Sequence, residues 1–426
     1  MFKGMKAFLA LFSLLILCAS YFIYSSLELS YEEIELNDQN SKARCMDGSP
    51  YKFLLSKGFG NGTDSFLLFF EQGGFCGDND YESDNIYTVL PSCKRKQSNP
   101  LGTNKFALIS RYFISYVSRL FSTKQSINPN FYNWNKVFVK YCDGAIFQGN
   151  HEEPFTYKNS KIYIRGEYNV KELLHYLIDN LSFNNSSRVL VSGSSAGGIG
   201  ALMWSSYIKS LAPKADFKVI CDSGFFLNEN ISFANTNIMK DMITRLTSQL
   251  QLNYSEIMSY YCPYKDESWK CFFPQYFIHN IKNNYPILAM TSLYDSWALS
   301  HIISTTCFFG YKIHDGCNST ELAKFEQYAN LIYKQLLKVS DVLEPNQITL
   351  WLPKGYYHMF IFMNLHWTTQ SYAVDGYTVF DLVNDWYNNR LNPDKKIYVD
   401  KEIQKYHYDV YWLSKFFTGI TKLLFC

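Results

Sequence analysis

Charge is scarce in this chain of 426 residues: Asp, Glu, Lys and Arg together make up 18%, and the net charge is only +2. No basic stripe runs along it, so nucleic acid is not an expected partner. There is no C-x-x-C pair and no Cys/His spacing of a zinc site, so neither a metal nor a cofactor is implied. No internal repeat is evident, and no linker divides the chain. What abounds is apolar. Hydrophobic residues make up 47% and aromatics 18%, with 34 Tyr and 34 Phe, enough for a large core and for an apolar pocket.

The N-terminus reads as a targeting segment. Lys3 and Lys6 precede an almost unbroken apolar run of 18 residues, Ala7 to Tyr24. That is the layout of a signal peptide, and the run is just long enough to span a bilayer as an uncleaved anchor. Residues 1–24 are therefore assigned to a signal peptide or signal anchor. Residues 25–44 form an acidic, polar spacer or a first exposed strand, and 45–426 a single domain. The expected location is secreted or lumenal; the alternative is a type II membrane-anchored protein with its domain outside the cytosol.

Of eleven cysteines, only Cys18 lies in the leader, and the ten that remain suit disulfides in an oxidising compartment. Short spacings nominate Cys262–Cys271, Cys307–Cys317 and Cys76–Cys93. Seven N-x-S/T triplets, beginning at Asn61, Asn180, Asn184, Asn185, Asn230, Asn253 and Asn318, also fit export. The apolar tail from Trp412 to Cys426 reads as a terminal core helix, with a membrane-contacting helix as the alternative; the run is too short to span a membrane.

The chemistry is concentrated in Arg188-Val-Leu-Val-Ser-Gly-Ser-Ser-Ala-Gly-Gly-Ile-Gly-Ala201. Val189 to Val191 reads as a buried strand and Gly198 to Ile208 as a helix. Gly193-Ser-Ser-Ala-Gly197 between them fits G-x-S-x-G. Strand, tight turn and helix are the context of a nucleophile elbow, in which small neighbours let the chain reverse and hold the serine hydroxyl clear. Ser195 alone has a glycine two residues away on both sides, and is preferred over Ser192 and Ser194.

Other strands are expected at Ser65–Phe70, Lys136–Cys142, Lys161–Arg165, Phe217–Cys221, Pro286–Ser292 and Gln347–Leu352. Helices are expected at Tyr168–Leu181, around Ile238–Leu250 and at Phe325–Leu343. Residues 80–124 read as irregular, and Phe225–Lys282 as an insertion covering the site. This alternation argues for a mostly parallel α/β sheet flanked by helices, with ligands at the carboxyl ends of its strands. Gly73, Gly74, Ser195, Asp222, Asp295 and His358 each follow such a strand.

A serine hydroxyl needs a base, normally a histidine oriented by a carboxylate. Ser195, Asp295 and His358 occur in the order Ser…Asp…His of α/β-hydrolases. Asp222 is a competitor for Asp295, although an Asp-Ser-Gly turn is usually structural. His366 and His407 are weaker rivals of His358. An oxyanion hole would use the Ala196 N–H and a donor from the Gly73-Gly74 loop.

Together these pieces resemble the pectinacetylesterase–Notum family of serine carboxylesterases. The resemblance is carried by Glu71-Gln-Gly-Gly-Phe-Cys76, Phe131-Tyr-Asn-Trp-Asn-Lys136, Tyr141-Cys-Asp-Gly-Ala145, Gly193-Ser-Ser-Ala-Gly-Gly198, Asp222-Ser-Gly-Phe-Phe226 and Tyr294-Asp-Ser-Trp297, in that order. It implies an α/β-hydrolase-like fold without metal. It also implies Ser195 as nucleophile, Asp295 as acid and His358 as base, with Gly73, Gly74 and Ala196 around the oxyanion. Departures occur at Ser194, Ile146 and Met359, where plant members usually carry Cys, Ser and Cys.

The expected function is a secretory-pathway carboxylesterase that removes an O-acyl group, acetyl ranked first, from a polysaccharide or a protein through an acyl-enzyme. The alternatives are a fatty-acyl protein deacylase of Notum type, or a hydrolase fold kept as a silent binding module. Membrane attachment would come through the N-terminal run.

Overall fold

The computed structural model describes residues 31–400 apart from 79–88, 106–118, 227, 232–235, 282–284, 304, 306, 308–316, 345–346, 362–366, 369 and 371–372. The apolar N-terminal run, the C-terminal tail, His366 and His407 lie outside the described residues.

The strands are β1 (Glu32–Leu36), β2 (Tyr51–Ser56), β3 (Ser65–Phe70), β4 (Asn135–Val139), β5 (Phe155–Tyr157), β6 (Ser160–Ile162), β7 (Arg188–Ser194), β8 (Asp216–Asp222), β9 (Ile287–Met290), β10 (Ile348–Leu352) and β11 (Ile397–Val399). Nine of them build one sheet in the order β1-β2-β4-β3-β7-β8-β9-β10-β11. Every neighbouring pair from β4 to β11 is parallel, while β1–β2 and β2–β4 are antiparallel.

The central strands are apolar on both sides because both faces are covered. Phe66, Leu68, Phe70, Val189, Val191, Val219 and Ala289 point into one core. Leu67, Phe69, Leu190, Ile220, Leu288 and Trp351 alternate with these residues or their neighbours and point into the other. The flanking helices are α1 (Val89–Gln97), α2 (Gly166–Leu181), α3 (Ala196–Leu211), α4 (Ile238–Gln249), α5 (Ser296–His301), α6 (Ser319–Asp341) and α7 (Val379–Tyr387). Among the described residues, no helix is long and apolar enough to cross a membrane.

Of the two readings of residues 25–44, the first exposed strand is the one found: β1 pairs with β2 from Glu32↔Leu55 to Leu36↔Tyr51, so the folded unit begins before Cys45. Only Ile34 of this strand is buried, and its glutamates suit an exposed edge, where Lys52 lies 3.0 Å from Glu35. Two other expectations need correction. Residues 160–162 do form a strand, but it pairs with β5 in a separate hairpin, because exposed Lys161 would not suit a sheet buried on both faces. Finally, the region read as irregular contains α1. Its run of Lys94, Arg95, Lys96 and Gln97 carries little apolar periodicity, and a disulfide from Cys93 to Cys76 pins it in place.

The three nominated disulfides are present, and a fourth joins Cys45 to Cys142 across 97 residues. Cys221 is the free cysteine among the described residues, buried on β8. Four disulfides place the folded chain in an oxidising compartment of the secretory pathway.

Candidate active site

Parallel register brings the carboxyl ends of five strands into line. Phe70 of β3 pairs with Gly193, Ser194 with Asp222, Asp222 with Met290, and Met290 with Trp351. Ser195 is the next residue along that edge, and Asp295 and His358 stand on the loops that leave β9 and β10.

The turn at Ser195 depends on missing side chains. A Cβ on Gly197 would lie 2.0 Å from the Phe70 carbonyl oxygen, and one on Gly193 would lie 2.1 Å from the Gly197 carbonyl oxygen. Helix α3 therefore sits directly on β3 and β7. Ser195 itself has φ 56° and ψ −123°, a backbone that costs a non-glycine residue about 1–3 kcal/mol. Its N–H is held by the Asp222 carbonyl at 2.8 Å, and its own carbonyl accepts the Gly198 and Ile199 N–H groups. Helix α3 starts at Ala196, two residues earlier than its apolar pattern suggests.

Two loops then meet. The Leu293 N–H donates to the Pro353 carbonyl, and the Ser292 hydroxyl to the Gly355 carbonyl, which ties the loop after β9 to the loop after β10. Asp295 caps α5, its Oδ1 accepting the Ala298 N–H at 3.0 Å. The same carboxylate presents Oδ2 to His358 Nδ1 at 2.7 Å. His358 Nε2 lies 2.7 Å from Ser195 Oγ. A carboxylate only accepts, so Nδ1 carries the hydrogen and Nε2 is left to accept from the serine. Ser195 and Asp295 are buried, which keeps water from competing for these bonds. Burial pushes the imidazolium of His358 down. The charge and hydrogen bond of Asp295, helped by the charge of Asp222, outweigh it and hold the ring above its ordinary value. The arrangement is a continuous path along which the serine proton can pass to the ring.

The other sequence-nominated residues fall as follows. Gly74 and Ala196 line a cavity together with Ser195. Gly74 has φ +63°, and a Cβ there would strike Asp78, whose carboxylate holds the Phe75 N–H at 2.8 Å. Gly73 stands back from that cavity, its open face against Tyr141 and Leu101. Asp222 is fully buried and bonds neither ring nitrogen of His358; its carboxylate serves Ser194, Ser223 and the backbone after His358. Among the described residues, the one His/Cys/acid cluster with metal-like proximity is Cys307, Cys317 and Glu321, and both sulfurs there are in a disulfide.

The remaining cavity walls are apolar: Phe75, Ile146, Ile199, Phe226, Met239 and Trp297. Sequence reasoning assigned none of them a role, although Phe75, Phe226 and Trp297 flank glycines or acids in the quoted motifs. Trp297 stacks near His358, with ring centroids 6.3 Å apart, and closes on Phe226 at 4.9 Å. His301 also stacks on Trp297, with ring centroids 4.6 Å apart. Burial pushes the imidazole of His301 below its ordinary value. The space between these walls is about 10 Å³, roughly the room for one water molecule.

A family model described as pectinacetylesterase matches residues 29–406. Pectin acetylesterase 5 of Arabidopsis thaliana is 26% identical over 365 residues, covering 82% of this chain and 78% of the relative. Pectin acetylesterase 4 of the same plant is 29% identical over 263 residues, 61% of this chain and 58% of the relative. The palmitoleoyl-protein carboxylesterase NOTUM of Schmidtea mediterranea is 25% identical over 292 residues, 63% of this chain and 50% of the relative. In fold, the chain is similar to the solved Wnt deacylase Notum from Drosophila, with a TM-score of 0.65 at 17% identity, covering 89% of this chain and 97% of that one. With nearly the whole described chain inside the family match, the chain belongs to the pectinacetylesterase family of carboxylic ester hydrolases.

Proposed function

We propose that this chain hydrolyses O-acetyl or similarly short O-acyl esters of a polysaccharide through an acyl-enzyme on Ser195. The observation that carries the reading is the unbroken Ser195–His358–Asp295 path, with 2.7 Å at each link. His358 removes the hydroxyl proton as Ser195 attacks the ester carbonyl, then protonates the leaving sugar oxygen. Asp295 holds the ring with Nδ1 protonated and stabilises the imidazolium. The Ala196 N–H and an N–H of the Gly73-Gly74 loop receive the developing oxyanion. Water then repeats the sequence on the acyl-enzyme, releasing acetate and restoring Ser195.

Short acyl length is supported by the cavity. About 10 Å³ beside Ser195 suits a methyl, whereas a long acyl chain needs on the order of 300 Å³ or more. The second reading is removal of a long acyl group from a protein. It is favoured by the wholly apolar side-chain walls and by the similarity to NOTUM. A silent binding module is disfavoured by the complete proton path.

p-Nitrophenyl esters of graded chain length test both: the expected order is acetate far above octanoate, and the reverse order supports the protein deacylase. Fluorophosphonate labelling of the wild type but not of Ser195→Ala is expected. Folded wild-type protein that neither labels nor hydrolyses any ester would falsify the enzymatic reading. The apolar segment 7–24 is proposed to act as a cleaved export leader. N-terminal sequencing of exported protein checks this, and an intact Met1 with membrane retention supports the anchor instead.

A further inference from the structure

We propose that Asp222, outside the Ser195–His358–Asp295 path, is a positioning residue for hydrolysis: it clamps the loop bearing the base to the strand bearing the nucleophile. The inference rests on the reading of Ser195 as nucleophile and His358 as base.

Asp222 is the last residue of β8, in register with Ser194 on one side and Met290 on the other. Its side chain has no exposure to solvent and accepts four hydrogen bonds. Oδ2 takes the Ser194 hydroxyl at 2.7 Å, the Phe360 N–H at 2.9 Å and the Ile361 N–H at 3.0 Å. Oδ1 takes the Ser223 hydroxyl at 3.0 Å. Ser223 Oγ in turn accepts the Met359 N–H at 2.9 Å. The three backbone N–H groups that follow His358 are thus all held by Asp222 and its neighbour, and the residue before Ser195 is held by the same carboxylate. The Asp222 carbonyl adds the bond to the Ser195 N–H.

The clamp works against backbone that does not adopt this shape by itself. Met359 has φ 74° and Ser223 φ 53°, both in the left-handed region. The ring bond to Asp295 on one side and this anchor on the other keep His358 Nε2 at hydrogen-bonding distance from Ser195. Displacement of a reacting group by about 1 Å costs on the order of 10²-fold in rate. All four partners of Asp222 are donors, which fits an ionised carboxylate, an acceptor only. Its charge also contributes to holding His358 above the ordinary value.

The test uses the full exported chain with p-nitrophenyl acetate, comparing Asp222→Ala and Asp222→Asn with the wild type in kcat, KM, pH profile and thermal unfolding. Fluorophosphonate labelling of the wild type comes first: a folded but unlabelled wild type sinks the nucleophile reading, a failure distinct from that of the clamp. Asp222→Ala is expected to lose about 10²-fold in kcat with KM within about threefold. Asparagine keeps an oxygen for the Ser194, Phe360 and Ile361 donors and can turn its amide toward Ser223. Asp222→Asn should therefore recover most of kcat while its acid limb moves to lower pH. A folded alanine variant with kcat within about threefold of wild type overturns the proposal, as does an asparagine variant no faster than alanine. If the alanine variant does not fold, Ser223→Ala, which removes the bond to the Met359 N–H, takes its place: a fall in kcat with KM within about threefold supports the proposal, and an unchanged kcat overturns it.

Discussion

Strands β8 and β9 are neighbours, Asp222 lying opposite Met290, and each, with the segment that follows it, supplies a buried aspartate and an aromatic cavity wall. Their aspartates nevertheless do different work. Asp295 sits five residues beyond its strand, on a loop long enough to reach over the edge, and faces an imidazole. Asp222 ends its strand and is fixed by sheet register, so it can meet only what packs on that edge: a neighbouring serine and the N–H groups of the loop lying across it. The lesson is that distance from the strand end decides the role. The carboxylate furthest from the sheet faces the ring that bonds Ser195, and the one that ends its strand holds the frame.

The comparison is broken most readily at Asp295. Asp295→Asn keeps an oxygen for the Ala298 cap but loses the acceptor that fixes the His358 tautomer, so kcat should fall about 10⁴-fold with little change in thermal unfolding. An equal loss from Asp222→Asn would erase the difference between the two aspartates. The aromatic walls sharpen it next. Trp297→Ala and Phe226→Ala should each raise the hexanoate-to-acetate ratio of kcat/KM by roughly 10-fold to 10²-fold. Only Trp297→Ala should also slow acetate turnover, because Trp297 stacks near His358. Identical acetate rates in both variants would count against that.

Smaller effects follow from the frame. Ser194→Ala leaves the buried Asp222 carboxylate one donor short, and should lower stability by about 1–3 kcal/mol in a denaturant titration. The pH profile gives the smallest effect. The base must be neutral to act, and His358 is held above its ordinary value, so kcat/KM should fall as pH drops through that raised value. The acid limb then lies higher than for an unperturbed histidine, and it should move down in Asp295→Asn more than in Asp222→Asn. A limb at the ordinary histidine value in the wild type would contradict the electrostatics described for the site.

Much of the site was legible because its signals are local. The glycines at 193 and 197 are required by contacts of 2.1 Å and 2.0 Å with backbone, so the constraint on composition is written where the turn is. The central strands were legible because burial on both faces forces continuous apolar runs. The edges were not: β1 has one buried residue, and its pairing with β2 comes from register rather than from its own pattern. Helix α1 was hidden in a polar segment because a disulfide and packing hold it.

Residue order alone therefore determined the elbow at Ser195, the parallel core, three of the four disulfides and the family to which the chain belongs. Short-range sterics and the burial of apolar strands leave direct marks on composition. Only the tertiary structure decided which aspartate faces His358, that Gly74 and Ala196 share a cavity with Ser195 while Gly73 stands back, and how little room Phe226, Met239 and Trp297 leave beside it. Those outcomes depend on the segments after five strands meeting across one sheet edge, and contacts between residues so far apart in the chain leave no periodic trace in it.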